Sequence, residues 1–246
     1  MNRFFAETYD DHEHALLTEE DTAHARRVLR LCPGDSVETI VNNTRYMSVI
    51  DSIQNNRYVV LLTHSLPSTE AKLHLTLFQG IPKGEKMEFI LQKATELGVV
   101  RIVPVMMSRC VVKLDKKDIS GKHDRWTKIV REACKQSGRC ITPEVTYPVA
   151  LNEAVSTMRK LDSVIVPWEE TTGYGPRSFF RDHQDIDSAG IVIGPEGGIT
   201  PDEIRIMKEA GAYPVTLGPR ILRTETAGIA AISALFGLYG EMETHV

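Results

Sequence analysis

The hydrophobic texture of the chain changes once, near residue 70. Before that point, short runs of apolar and β-branched residues stand between polar turns: "RFFAE" (3–7), "SVETIV" (36–41), "RYMSVIDSI" (45–53) and "YVVLLTH" (58–64). Such runs predict strands. The intervening "NNT" and "QNN" are hairpin turns, because asparagine tolerates the left-handed backbone that a tight turn demands. One segment breaks the pattern. "TEEDTAHARRVLRL" (18–31) reads as a helix, opens with Thr18 and Asp21 in capping-box-like spacing, and runs into "CPGD", where Pro33 and Gly34 stop it. These elements suffice for a small antiparallel barrel or sheet over residues 1–70, and "SLPSTEAK" (65–72) reads as a linker.

From Lys72 onward, β-branched runs alternate with segments of helical period. "LHLTLF" (73–78) is a strand. "GEKMEFILQKATELG" (84–98) is a helix, with Met87, Ile90, Leu91, Ala94 and Leu97 in one stripe and Gly98 as its C-terminal cap. "VRIVPVMM" (100–107) is strand-like, its Pro104 suited to an edge or a bulge. "HDRWTKIVREACKQS" (123–137) is a helix that turns Trp126, Ile129, Val130 and Ala133 inward. The series continues through "ALNEAVSTMRKL", "SVIVPW", "RSFFRD", "GIVIG", "PDEIRIMKEAG" and "PVTLG" to a last helix, "TETAGIAAISALFGLYG" (224–240). This alternation predicts an α/β domain over residues 71–246 with a mostly parallel sheet.

Composition changes the picture little; charge changes it more. The 246 residues are 42% hydrophobic and 25% charged, ordinary for a globular protein. No apolar run approaches the roughly 20 residues that span a bilayer, and "MNRFFAETYD" lacks the apolar centre of a secretory leader, so the expectation is a cytoplasmic protein with no membrane partner. Cys32, Cys110, Cys134 and Cys140 form no C-x-x-C pair, which argues for free thiols. "HEH" (His12, Glu13, His14) has no further ligand nearby and reads as a surface turn, so no metal is expected. The net charge of −4 is unevenly spread: −5 over residues 1–70, +8 over 71–140 and −7 over 141–246. A basic middle between acidic ends is the footprint of a polyanionic partner.

Two strand-to-helix junctions carry candidate chemistry. In "IVIGPEGGITPDEI" (191–204), Thr200, Pro201 and Glu203 spell a helix start, so the glycines before them form a loop at a strand's carboxyl end, where open α/β sheets bind ligands. Glu196 disfavours a phosphate there, and neither a P-loop nor a G-x-G-x-x-G spacing is present. A ligand that is neutral, or positive at its reactive centre, fits better. In "PVTLGPRILRTETAGIAA" (214–231), apolar Ile221 and Leu222 sit in a loop between Arg220 and Arg223, ahead of a helix read as capped by Thr224. Apolar loop residues need something to cover, and a flat ring such as adenine is one candidate. The last helix is nearly uncharged, so it is buried or packed on another element, a second subunit being one option.

"IGPEGG" and "LGPRILRTETA", together with "VLRLCPGD" (28–35), "LQKATELGVVRIVPV" (91–105) and "RWTKIVREACKQSGR" (125–139), resemble the ribosomal RNA small subunit methyltransferase E family, knotted RNA methyltransferases of the SPOUT superfamily. The resemblance covers nearly the whole chain. It implies an N-terminal PUA-like β-barrel that helps hold RNA and a C-terminal α/β SPOUT domain threaded as a trefoil knot. It further implies a homodimer and S-adenosylmethionine as cofactor, lined by Gly194, Pro195, Glu196, Gly197, Gly198, Leu217, Gly218, Ile221, Leu222, Arg223 and Thr224. The implied reaction is methylation of ring nitrogen 3 of one uridine in 16S ribosomal RNA of the small subunit.

That nitrogen is protonated near neutral pH, so its proton must leave and charge on the flanking carbonyls must be stabilised. The expectation gives Arg223 the oxyanion role and Glu225 or Glu196 the role of proton acceptor or organiser. An alternative is that Arg223 and a glutamate form an ion pair that pins the loop. For RNA, Lys122, Arg125, Lys128, Arg131 and Lys135 step by three or four along one broad helix face. With Lys83, Lys86 and Lys93 they form a candidate phosphate track, which Arg26, Arg27 and Arg30 extend. The competing functions are a non-enzymatic ribosome-assembly factor with structural glycine loops, and the same chemistry on another RNA. A pure binder has no need of both loops.

Overall fold

A computed structural model describes residues 2–9, 13–112 and 116–243. Two units divide the chain: Met1–Glu70 with Gly138–Ile141, and Ala71–Ser137 with Thr142–Val246.

In the first unit, β1 (Arg3–Thr8), β2 (His14–Leu17), α1 (Glu19–Arg27), β3 (Ser36–Val41), β4 (Thr44–Gln54) and β5 (Arg57–Ser65) follow one another. The strands form a closed barrel in the order β1-β2-β5-β4-β3, shut by the parallel β1–β3 pair. The asparagine turns behave as read: Asn42, Asn43, Asn55 and Asn56 all take φ between 46° and 62°, the left-handed values of a two-residue hairpin. Two differences from the sequence reading stand out. The four-residue β2 was not anticipated, because so short a run has no legible period. Helix α1 starts as read, with Thr18 accepting from the Asp21 amide at 3.1 Å, but ends at Arg27 and not at Leu31. Arg30 turns to φ 55° and the Leu31 amide reaches back to the Ala25 carbonyl at 3.0 Å. Residues 138–141 join this unit through Glu70, which accepts from the amides of Cys140 and Ile141 at 2.6 and 3.1 Å and pairs with Arg139.

The second unit alternates β6 (His74–Gly80), α2 (Lys86–Leu97), β7 (Arg101–Met106), α3 (Lys116–Ser137), β8 (Glu144–Val145), β9 (Val149–Ala150), α4 (Leu151–Met158), β10 (Ser163–Pro167), α5 (Pro176–Asp182), β11 (Ser188–Ile193), α6 (Pro201–Glu209), β12 (Ala212–Val215) and α7 (Thr224–Leu238). All its strand pairs are parallel, in the order β12-β10-β11-β6-β7-β8, with β9 also on β7. One face packs Leu75, Leu77, Ile102 and Ile191 against α2, α3, α5 and α7; the other packs Phe78, Val103, Val105 and Val192 against α4 and α6. Burial on both faces explains why these strands read as continuous apolar runs. The α2 stripe is buried at Met87, Ile90, Leu91 and Ala94, each worth about 1.5–3 kcal/mol for the larger side chains, and Gly98 caps the helix at φ 112°.

Pro104 sits in a strand with neighbours on both sides, which its missing N–H should forbid. The register resolves this. β8 pairs β7 only at Arg101 and Ile102, and β9 only at Val105 and Met106. Pro104 therefore faces the gap between two short partners, where no acceptor waits for its nitrogen.

Candidate functional site

The site is built on the carboxyl ends of β6, β10, β11 and β12. The turn of residues 194–200 leaves β11 and enters α6 through the anticipated cap: Thr200 accepts from the Glu203 amide at 3.2 Å, and Glu203 accepts from the Thr200 amide at 2.9 Å. Glu203 also takes the Ser108 amide at 2.8 Å and is only 4% exposed. Burial pushes its carboxyl up, but the hydrogen bonds from Ser108 and Thr200 outweigh it and hold the group below the ordinary value of 4.5.

The glycines of this turn are needed for space. At Gly197 an added Cβ would lie 2.8 Å from Arg109 Cβ; Gly198 takes φ +74°. Across the turn, Gly80 at the end of β6 leaves room for Pro195, whose Cδ would lie 2.6 Å from an alanine's Cβ. Arg109 donates to the Gly197 carbonyl at 2.9 Å. Neither Gly80 nor Arg109 stood out in the sequence, since their partners are distant in the chain.

The second loop, residues 216–223, runs from β12 to α7. Gly218 takes φ +97°, and Ile221 is 90% exposed, an apolar side chain with nothing over it in this chain. The expected cap needs correction. Arg223, not Thr224, is the N-cap of α7, without a side-chain cap bond. Thr224 is buried and spends its hydroxyl proton on the Gly194 carbonyl at 2.6 Å, while accepting from Gln79 Nε2 at 2.9 Å. This threonine ties one loop to the other.

Lys86, read from sequence as a phosphate contact, opens α2 with its ammonium 3.1 Å from Glu196 and 3.6 Å from Glu225. The Lys83 amide also donates to Glu196, at 3.2 and 3.3 Å to its two oxygens. Burial raises the Glu196 pKa, but its own backbone amide, Lys86 and the Lys83 amide prevail and hold it below the usual carboxylate value. Glu196 is thus built as a fixed negative charge. Glu225 differs: its Oε2 is buried with no hydrogen-bond donor, only the longer approach of Lys86. Among the described residues Arg223 has no ion pair to a glutamate; the carboxylates meet Lys86 instead. Arg223 is exposed at the loop end.

The two loops enclose two adjoining recesses. One, of about 440 Å³, is lined by Leu217, Gly218, Ile221 and Leu222 and, after β10, by Trp168, Glu169, Thr171, Thr172 and Gly173. The other, of about 580 Å³, is lined by Lys83, Lys86, Gly194–Ile199 and Ile221–Thr224. Pro167, Glu169, Ile221, Leu222 and Ala227 belong to both. The combined size and the apolar wall suit a nucleoside-sized ligand, and Glu169 and Glu196 in the lining suit a positive centre. The strand-end segment "PWEETTG" (167–173) was overlooked in the sequence, although it follows β10 just as the glycine loop follows β11.

Of the basic side chains read as phosphate contacts, Lys83 and Lys86 line the second recess and the others line neither. Lys83, Arg125 and Lys128 are exposed, and Lys93, Lys122, Arg131 and Lys135 half-buried. Lys93 pairs with Glu96 at 2.8 Å, Arg125 with Glu88 at 2.7 Å and Lys135 with Glu132 at 3.7 Å. In the first unit Arg26, Arg27 and Arg30 are exposed, and Arg26 donates to Asn56 at 2.8 Å. His12 lies outside the described residues; among those described, no group of three His, Cys, Asp or Glu is placed to hold a metal, no helix is long and apolar enough to cross a membrane, and none of the four cysteines is in a disulfide.

An RNA methyltransferase domain model matches residues 69–236. The ribosomal RNA small subunit methyltransferase E of Bacillus subtilis (strain 168) is 34% identical over 96% of each chain. Its namesake from Buchnera aphidicola subsp. Acyrthosiphon pisum is 31% identical over 98% of this chain and 94% of its own. Among solved structures, a ribosomal RNA small subunit methyltransferase E from Neisseria gonorrhoeae bound to S-adenosyl methionine superposes with a TM-score of 0.81 at 31% identity, over 97% of this chain and 98% of that one. A Legionella pneumophila methyltransferase in complex with the same cofactor gives 0.80 at 33%, over 96% of each. With the domain model spanning more than half of the chain and such relatives matching it end to end, this protein belongs to the ribosomal RNA small subunit methyltransferase E family.

Proposed function

We propose that the protein methylates ring nitrogen 3 of a uridine in 16S ribosomal RNA, using S-adenosylmethionine bound in the two recesses. The observation that carries this is the tie between the loops. Thr224 joins the glycine turn to the apolar loop, so backbone, carboxylates and an uncovered apolar wall converge on one cleft. A structural turn has no need of that convergence.

S-adenosylmethionine supplies a methyl group made electrophilic by its sulfonium. The chain's own residues do the rest. Ile221, Leu222 and Leu217 offer the apolar wall for a ring, and Gly194, Pro195, Glu196, Gly197, Gly198 and Gly218 a side-chain-poor, negatively edged cradle. Holding the reactants in line is worth about 7–11 kcal/mol. Arg223, exposed at the cleft, stabilises negative charge on the uracil carbonyls, worth about 3–4 kcal/mol for one well-placed donor. Glu225, with one buried oxygen lacking a donor, is the proton acceptor; Glu196, committed to Lys83 and Lys86, is the organiser. The barrel unit serves as a PUA-like RNA holder and the sheet unit as a SPOUT domain with a knotted C-terminal stretch. The weakly charged outer side of α7 serves as a homodimer contact, and the cytoplasm is the compartment.

The test is transfer of labelled methyl from S-adenosylmethionine to small ribosomal subunits from cells lacking the protein, with the product nucleoside identified by mass. Label on uridine nitrogen 3 is expected. Label on another nucleoside overturns the substrate assignment, and bound cofactor without label moves the activity to another RNA. Absence of both binding and label leaves only an assembly factor.

A further inference from the structure

The last residue but one of β6, Gln79, is fully buried beneath both loops, and its hydrogen bonds have only one consistent direction. The Gly194 carbonyl can only accept, so the Thr224 hydroxyl gives it its single proton, at 2.6 Å. The Thr224 oxygen is then left as an acceptor, and Gln79 must present its NH2 to it, at 2.9 Å. The second amide proton goes to the Gly80 carbonyl, at 2.9 Å. Gln79 Oε1 has no donor and points toward α7 at Gly228, where an added Cβ would lie 3.8 Å away. An apolar residue of similar volume would fill this place without an orphaned oxygen, so packing alone does not account for glutamine here.

Thr224 stands between Arg223 and Glu225, the two side chains given chemical roles above. We propose that Gln79 is a positioning residue for methyl transfer. Through Thr224 it fixes the spacing between the Gly194–Gly198 turn and the Arg223–Glu225 start of α7, so that the two loops form one cofactor cradle. This rests on the proposed function and adds to it a relay from the floor of the sheet. Gly80 beside it, seating Pro195, and Lys86, holding Glu196 and Glu225, align the same two loops from the same chain segment.

The experiment measures S-adenosylmethionine affinity by calorimetry, RNA affinity and thermal midpoint for wild type, Gln79→Leu, Thr224→Val, Thr224→Ser and the Gln79→Leu/Thr224→Val double variant. The relay predicts cofactor Kd raised about tenfold in Gln79→Leu and in Thr224→Val, with the double variant no weaker than either single. Thr224→Ser, which keeps the hydroxyl, recovers most of the Thr224→Val loss. RNA affinity stays within about twofold and the midpoint of Gln79→Leu within about 4 °C. Unchanged cofactor affinity in folded Gln79→Leu and Thr224→Val, or fully multiplicative losses in the double variant, overturns the relay alone. If Gln79→Leu does not fold, Thr224→Val against Thr224→Ser decides the same question from the other end of the chain of bonds. A wild type that binds no S-adenosylmethionine overturns the proposed function instead.

Discussion

Three glutamates near the cleft show how surroundings set what a carboxylate does. Glu196 and Glu203 are both locked in charged form by donors, one on the cleft and one beneath it. Glu225 keeps a buried oxygen without a hydrogen bond. For Glu203 the depressed pKa fixes the sign of its pH effect. The bonds to Ser108 and Thr200 favour the charged form, so their contribution is complete above the unfolded value near 4.5 and is lost as pH falls through the lower folded value. Glu203→Gln is therefore expected to cost about 1–3 kcal/mol at neutral pH and to flatten the fall in stability below pH 4.5. Urea titrations at a series of pH values check both; an unchanged acid limb removes Glu203 as its source. The Thr200–Glu203 box was readable because its partners are three residues apart. The Ser108 and Lys86 bonds were not, because their partners are remote in sequence and nothing local announces them.

At the scale of elements, α7 was legible as a helix but not as a device. Its composition said only that it must be packed. In the structure one side, Gly228, Ala231, Ile232, Leu235 and Phe236, is buried, while Ile229, Ala230, Ser233 and Ala234 are half-exposed with no charge among them. If that outer side meets a second copy, Ala234→Lys places a charge in the contact and halves the mass measured by sedimentation, with the single-chain fold retained. A mass already that of one chain in the wild type refutes the contact. Sequence also misjudged element ends: α1 stops early because Arg30 takes a left-handed turn, and β8 and β9 are two residues each, too short to carry a period.

For the whole molecule, charge separates two kinds of basic residue that sequence could not tell apart. Lys86 is held by carboxylates in the cleft, whereas Lys128 is exposed on α3 and Arg131 half-exposed beside it. Replacing Lys128 and Arg131 with alanine is expected to weaken RNA binding and to lower the slope of log K against log salt by about one for each phosphate that is no longer neutralised. Lys86→Ala is expected to leave that slope alone and to weaken cofactor binding. Filter binding across a salt series, beside calorimetry with the cofactor, distinguishes the two; a reduced salt slope for Lys86→Ala returns it to the RNA track.

What the sequence alone determined is what local chemistry determines. Asparagine turns, the Thr200 cap, the Gly98 stop, the α2 stripe and the change from hairpins to alternating strands and helices all act within a few residues, and so did the five motifs that carry the family resemblance. Which strands are neighbours, and so which loops share a cleft, was decided only by the tertiary structure. The order β12-β10-β11-β6-β7 brings residues 79–86, 167–173, 194–200 and 216–225 together. Hydrogen bonds such as Gln79 to Thr224 span 145 positions, and a bond of that reach exists only once the sheet has placed both ends.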